Sequence, residues 1–513
     1  MPSGGAPSAI AILRTGLKYY YGETQLTDFS GGWNIRDAAA QLAANESPDL
    51  YNCTLDERGG AGKRLGYSKY NGSIFQAALV TNTFYWPSGQ NEITQCGAKL
   101  YKDTSTTEFK TFTTTERCGM CDFKGLLIFI HPTDGLFKYD GTTVTAIAAG
   151  PKGSTITGWQ NKLWASNDPA AKSRVYFCSA GDETTWPGTN FVDLREKDTE
   201  PVVGLAGAAG VDVSGRQGLL AFKRRSTYRI FDSSTGAFQT LDTQVGAASA
   251  LAVTSGFQRS VALGEAGIFW TDGVGPMRPA SSKLDPLFNP GQIAFSKLDL
   301  FCAGLKGDRM YFSLARAGST ANDLELEYHP LQGWIVPNSS AASCYATYGK
   351  DDQILYAGSP TVNGQVYKRL VGGADDGVAI ASRFQTRWVQ PTGGHPCRVG
   401  RVRGAFRGGF TVKVLLDFGP NFVESFDLAA PAGGALYDAG GSIYDTSTYT
   451  QPNFQDTQDF PLNDVCTAIS LVISETSSTS SSGLQVLGAG AAPELGAWGL
   501  YALAISYRPL GLG

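Results

Sequence analysis

The chain has 513 residues, a formal net charge of −4 and only 17% charged side chains, against about 25% in soluble domains. That length excludes a single small binding module, and the lack of a Lys/Arg excess excludes a protein that coats nucleic acid by neutralising phosphates. Four methionines and no sustained apolar heptads exclude a coiled coil or helical bundle, while 63 glycines, 24 prolines and an 11% aromatic content predict an all-β chain.

The opening segment, residues 1–71, has a short apolar stretch over 9–13 with its first positive charge after it, at Arg14. Neither a signal peptide nor a membrane span is expected, since nothing approaches 18 consecutive apolar residues. A short helical candidate covers 37–44 and ends before Pro48, which pushes Ser47 out of the helical region. The segment is too small to bury a core of its own.

Residues 72–370 repeat one theme: a β-rich run, a turn, then an apolar and aromatic run ending in a charged or turn residue. Examples are Leu136-Phe137-Lys138-Tyr139-Asp140-Gly141, Tyr228-Arg229-Ile230-Phe231-Asp232 and Ile268-Phe269-Trp270-Thr271-Asp272-Gly273. The endings fall at 103, 140, 179, 232, 272, 330 and 369, which fits a unit of roughly 40 to 50 residues with loop insertions. Short strands in such units cannot bury both faces alone, and a radial arrangement packs each unit on the next. A β-propeller of six or seven blades is the expected fold, with a large Greek-key sandwich as the alternative.

Residues 371–513 hold longer apolar runs, over 409–416, 468–473 and 500–507, and a Ser/Thr/Gly/Ala-rich loop candidate after 474. A β-sandwich is expected there. Residues 1–71 should pack on it, so the propeller is inserted in a β-sandwich-like platform.

Charge in this last region is segregated. Arg383, Arg387, Arg398, Arg401, Arg403, Arg407 and Lys413 have no acidic residue among them, whereas residues 414–507 hold ten acidic residues and no Lys or Arg. In a ring of identical subunits, a basic face meeting an acidic one sets register and rejects wrong pairings. The basic group is the candidate inter-subunit or adaptor contact. Asp417, Glu424, Asp427, Asp438, Asp445, Asp456, Asp459 and Asp464 are the candidate lumen or interface positions. The alternative is a chance division between basic strands and acidic loops.

Signatures of catalysis are missing. The three histidines, His131, His329 and His395, each precede proline, which reads as turn chemistry, and neither a Gly-x-Ser-x-Gly elbow nor a phosphate-cradling loop is present. Cys118-Gly119-Met120-Cys121 is a single C-x-x-C; with Cys96 and His131 it makes a zinc set on paper, but no second pair supports it. The nine cysteines read as reduced thiols of a protein assembled in a cytoplasm. Residues 179–186 keep Ser179, Thr185 and Trp186 of the sialidase-type aspartate box, itself a hairpin turn.

Three segments carry a family likeness: Phe29-Ser30-Gly31-Gly32-Trp33-Asn34; then Asn45-Glu46-Ser47-Pro48-Asp49-Leu50-Tyr51-Asn52-Cys53-Thr54-Leu55-Asp56; then Gly59-Gly60 and Lys63-Arg64-Leu65-Gly66-Tyr67. Spread over a stretch of about forty residues, they resemble the opening of tail nozzle and hub (tail stabilisation) proteins of short-tailed bacteriophages. Trp33 and Cys53 stand where that pattern has an aliphatic residue. The run 175–186 is similar to the family's blade turn, and Tyr437-Asp438 with Tyr444-Asp445 resembles its aromatic-Asp repeats.

The resemblance implies a structural virion protein in the tail, assembled in the host bacterial cytoplasm. It implies a homo-hexameric ring below the portal and adaptor, in contact with tail fibres or spikes, that closes the tail and conducts the genome during ejection. DNA passes without sequence-specific binding, and no cofactor or enzymatic activity is expected. A reading from another class is a carbohydrate-binding or carbohydrate-cleaving propeller at the tail tip.

Overall fold

The computed structural model describes residues 10–14, 17–56, 58–195, 199–211, 215–348, 354–407, 410–428, 456–462, 464–474 and 499–510. Two compact units divide the chain, one of residues 1–66 with 372–513 and one of residues 67–371.

In the second unit the chain folds into short antiparallel meanders. The first sheet is built from Val80–Trp86, Asn91–Cys96, Lys99–Lys102 and Glu108–Thr111. Five more four-stranded sheets follow in chain order, over residues 119–147, 155–193, 204–242, 253–279 and 302–338. A seventh group holds Tyr345–Tyr348, Ile354–Gly358 and Val366–Arg369, and its fourth strand is Tyr67–Lys69, from the other end of the unit. The sequence reading assigned residues up to 71 to the platform; their backbone pairing puts 67–69 here instead. Asn71 also belongs here, because its side chain donates to Gly364 O at 3.0 Å and accepts from Val366 N at 2.8 Å.

The first strand of each sheet lies against the first strand of the next, and that of the seventh lies against that of the first. Apolar side chains fill the spaces between sheets. Trp86, Ile93 and Leu100 of the first pack with Met120, Leu127 and Phe129 of the second, and Tyr356, Val366 and Cys344 of the seventh pack with Val80, Cys96 and Tyr101 of the first. Such successive four-stranded meanders are consistent with β-propeller blades, which bury both faces of each sheet against neighbours. The repeated endings mark the close of each third strand. Asp140, Asp182, Asp232 and Asp272 each accept backbone amides two residues on, at 2.8 to 2.9 Å, the turn that an Asp side chain closes on its own backbone.

The first unit has two main antiparallel sheets. One orders Ile10–Arg14, Leu17–Leu26, Gly499–Pro509, Cys397–Arg407 and Asp456–Pro461, with Cys53–Leu55, Ala61–Lys63 and Val465–Cys466 at its margins. The other orders Phe422–Leu428, Phe410–Leu416, Ile469–Ser474, Arg383–Gln385 and Leu50–Tyr51. Strands from both ends of the chain therefore complete the same two sheets.

The helix expected over 37–44 is absent; these residues form turns. Polar side chains outcompete a helix there. Glu46 Oε2 accepts from the amide of Ala43 at 2.9 Å, so the donor that a helix over 37–44 would turn onto the carbonyl four residues back is already taken, and Asn34 Oδ1 accepts from the amides of Arg36 and Asp37 in a local turn.

Candidate functional site

The segments that carry the family likeness form a polar joint in the first unit. Phe29 N donates to Gly59 O at 2.8 Å, and Gly31 N to Asn45 O at 2.9 Å. A Cβ on Gly31 would stand 2.7 Å from the Asn45 backbone, so only glycine permits that approach. Asn34 Nδ2 donates to Glu46 Oε2 at 2.8 Å, both side chains being buried.

The joint continues onto the C-terminal part of the unit. Ser47 Oγ donates to Gln385 O at 2.7 Å, Asn52 Nδ2 donates to Ala381 O at 2.7 Å, and the Phe29 ring meets Phe384 edge-on at 5.5 Å. Arg64, 2% exposed, gives Nε to Asn52 Oδ1 and a two-pronged contact to Asp375 at 2.6 and 2.9 Å. Planar guanidinium and carboxylate match in such pairs, which makes them strong and directional.

The predicted basic group is spread over both sheets, except Arg387, which lies outside the strands. On Cys397–Arg407, Arg398, Arg401 and Arg403 are exposed while Val399 and Val402 are buried. Arg407 stands across from Gly499 on the same strand. Arg383 pairs with Asp49 at 2.6 Å, the Nε of Arg387 is buried without a hydrogen-bond partner, and Lys413 lies 4.9 Å from the centre of the Phe422 ring.

The acidic group does not form one face. Asp459 lies directly across from Arg403, and Asp456 across from Phe406, so part of the acidic set shares a sheet with the arginines. Glu424 and Asp427 sit on the other sheet, across from Val414 and Thr411. Asp417 is a turn residue: its Oδ1 accepts from Thr467 N, Thr467 Oγ1 and Ala468 N, and these bonds hold its pKa below the ordinary value against the opposing effect of burial. Asp464 is half-buried and offers its backbone oxygen to Val399 N. Asp438 and Asp445 lie outside the described residues.

In the second unit, a cavity of about 680 Å³ opens at the end where the first strands begin. Its charged lining was not legible in the sequence: Glu116, Arg117, Arg224 and Asp299, two of each sign. Arg117 is held by Thr81 O at 2.8 Å and Asp299 O at 3.0 Å, and the Nε of Arg224 is buried with no partner. Thr133 and Thr114 hydroxyls hold Glu116 below the usual carboxylate range. The lining is thus close to neutral.

The residues weighed for catalysis or metal have other uses. Cys118 faces the cluster between the first and second sheets and Cys121 the cluster between the second and third, because three positions along a strand reach opposite faces. They cannot bind one ion together. His131 is buried, stacks on Phe112 at 4.3 Å and accepts the amides of Thr133 and Asp134 at Nδ1, and burial lowers its pKa. His329 accepts Gln332 N at 3.1 Å in the same way. All nine cysteines are buried thiols.

No protein-family model matches the chain, and no curated protein matches it. Among solved structures it is similar to the crystal structure of BBS1N in complex with ARL6DN, at 10% identity and a TM-score of 0.40, over 61% of this chain and 99% of that one. A likeness at that level carries no functional argument.

Proposed function

We propose that this chain is a structural virion protein, the nozzle or hub subunit of a short phage tail. In this reading residues 67–371 are a closed seven-bladed propeller, inserted in a sandwich-like platform. Six copies form a ring below the portal and adaptor, carry the fibres or spikes, and conduct the genome.

The observation that carries the reading is the polar joint. Of the residues resembling the nozzle family, Gly31, Asn34 and Glu46 brace the N-terminal segment against itself, and Ser47, Asn52 and Arg64 tie it to the C-terminal part of its unit. A motif used that way marks an architecture rather than a reaction. DNA carries about one negative charge per 1.7 Å, so a conduit works best with walls that do not grip it. A net charge of −4 suits that task.

The test is the copy number of the protein in density-purified particles, by quantitative mass spectrometry against the portal protein. About six copies per particle is the expected result, given that tails are closed cyclic assemblies. Hundreds of copies would indicate a coat or tube protein, and absence from particles a free enzyme or lectin. Arg401→Glu with Arg403→Glu, both on exposed positions, should leave a folded monomer that no longer forms rings. Sedimentation analysis checks this, and normal rings would remove these arginines from the interface.

A further inference from the structure

Two of the nine thiols face each other across a strand pair. Cys397 opens the strand Cys397–Arg407, and its direct antiparallel partner is Cys466 of the two-residue strand Val465–Cys466. The Cys397 thiol donates to Cys466 O at 3.4 Å, and the two side chains are 0% and 2% exposed. Directly opposed residues of an antiparallel pair have Cα atoms about 4.5 to 5.5 Å apart. A disulfide spans Cα separations of about 4.4 to 6.8 Å. Among the described strand registers, no other cysteine has a cysteine opposite.

The edge position supplies access. Val465, beside Cys466, is 46% exposed, and a strand of two residues has few backbone bonds to break. The segment is held on one side by Val399 N donating to Asp464 O at 2.9 Å and on the other by Thr467 bound to Asp417. Burial pushes the Cys466 thiol up to about 12 and raises Cys397 as well, so reaction proceeds from the briefly released strand.

We propose that Cys397 and Cys466 form an oxidisable dithiol that closes to a disulfide when the protein meets a low-molecular-weight disulfide. On release, the Cys466 thiolate attacks one sulfur of that reagent and expels a thiolate, leaving a mixed disulfide. Cys397 then attacks the Cys466 sulfur and expels the second thiolate. The protein gives up two electrons and two protons, which appear as two molecules of reduced reagent thiol. The bridge closes a loop between positions 69 apart and fixes a marginal strand to the sheet. This inference is independent of the virion reading.

The test uses the full-length folded protein and excess glutathione disulfide, followed by thiol alkylation and digestion without reduction. The expected result is a peptide pair joined through 397 and 466, a mass lower by two hydrogens, loss of two of the nine alkylatable thiols and a thermal midpoint raised by several degrees. Cys397→Val and Cys466→Ala should each abolish the bridge. Nine intact thiols in a protein that still melts cooperatively, a stable glutathione adduct without closure, or a bridge between other cysteines would each overturn the proposal.

Discussion

Glu92 and Asp140 are both carboxylic acids at strand ends of the larger unit, and their surroundings drive them in opposite directions. Glu92 is wholly buried beside Thr83, and burial raises its pKa to about 8, with the negative charge of Asp103 adding to the effect. Asp140 lies in water and is held to about 2 by the amides and hydroxyl of Thr142 and Thr143. For Glu92 the folded state keeps a proton that the unfolded chain loses near pH 4.5. Its stabilisation is therefore full below that pH and lost as the pH rises to about 8. Glu92→Gln should flatten this dependence and raise the melting temperature by several degrees at pH 8, with little change at pH 4; thermal unfolding across pH checks it. Asp140 behaves conversely: its contribution is present above the ordinary carboxylate range and disappears as the pH falls through about 2. The Asp turns were legible in the sequence, because hydroxyl residues follow Asp140, Asp182 and Asp232 at fixed offsets. Glu92 was not, since Asn91-Glu92-Ile93-Thr94 reads as an alternating strand with one wet face, whereas Glu92, Ile93 and Thr94 are all buried between neighbouring sheets.

At the scale of elements, the repeated strand-and-turn units were legible from spacing alone, but the fourth strand of the seventh group was not. Nothing local in Tyr67-Ser68-Lys69 announces pairing with Val366–Arg369, some three hundred residues on. Its fixing depends on one glycine. Gly364 has φ +63°, and a Cβ there would stand 2.0 Å from Gln76 O; Asn71 donates to its carbonyl and Phe75 N does the same. Gly364→Ala should destabilise the unit by about 2 kcal/mol or more, through strain and the loss of those bonds. Denaturant titration would show a lower midpoint. The platform's charge segregation was visible in the sequence, but register is not: only pairing reveals that Asp459 sits across from Arg403. The helix read over 37–44 failed for a similar reason, because Glu46 reaches back to the Ala43 amide that composition alone leaves to the helix.

For the molecule as a whole, the sixth and seventh sheets are joined by a buried ionic network rather than by apolar packing alone. Glu325, on Leu324–Tyr328, is fully buried and receives Arg369 Nη2 at 2.7 and 2.8 Å, Ser340 Oγ at 3.0 Å and Tyr345 OH at 2.5 Å. Arg369 also lies 5.6 Å from the Tyr67 ring of the strand that arrives from the other end of the unit. Removing one member leaves an uncompensated buried charge, so Arg369→Met should cost about 3–5 kcal/mol. Arg369→Met with Glu325→Gln should recover part of that loss. A double-mutant cycle measures the coupling, and additive effects would mean that the pair is not linked.

The two ends of residues 67–371 leave that unit side by side, Tyr67 being the strand partner of Arg369, and within the other unit Gly66 N donates to Gly372 O at 2.9 Å. The insertion therefore behaves as a cassette. Cutting it out leaves a gap that a turn of two or three residues can close, and the freed piece keeps the pairing of Tyr67–Lys69 with Val366–Arg369. A lineage carrying this platform could exchange the whole cassette by recombination at two points without redesigning either fold, so platform and cassette are free to have separate ancestries.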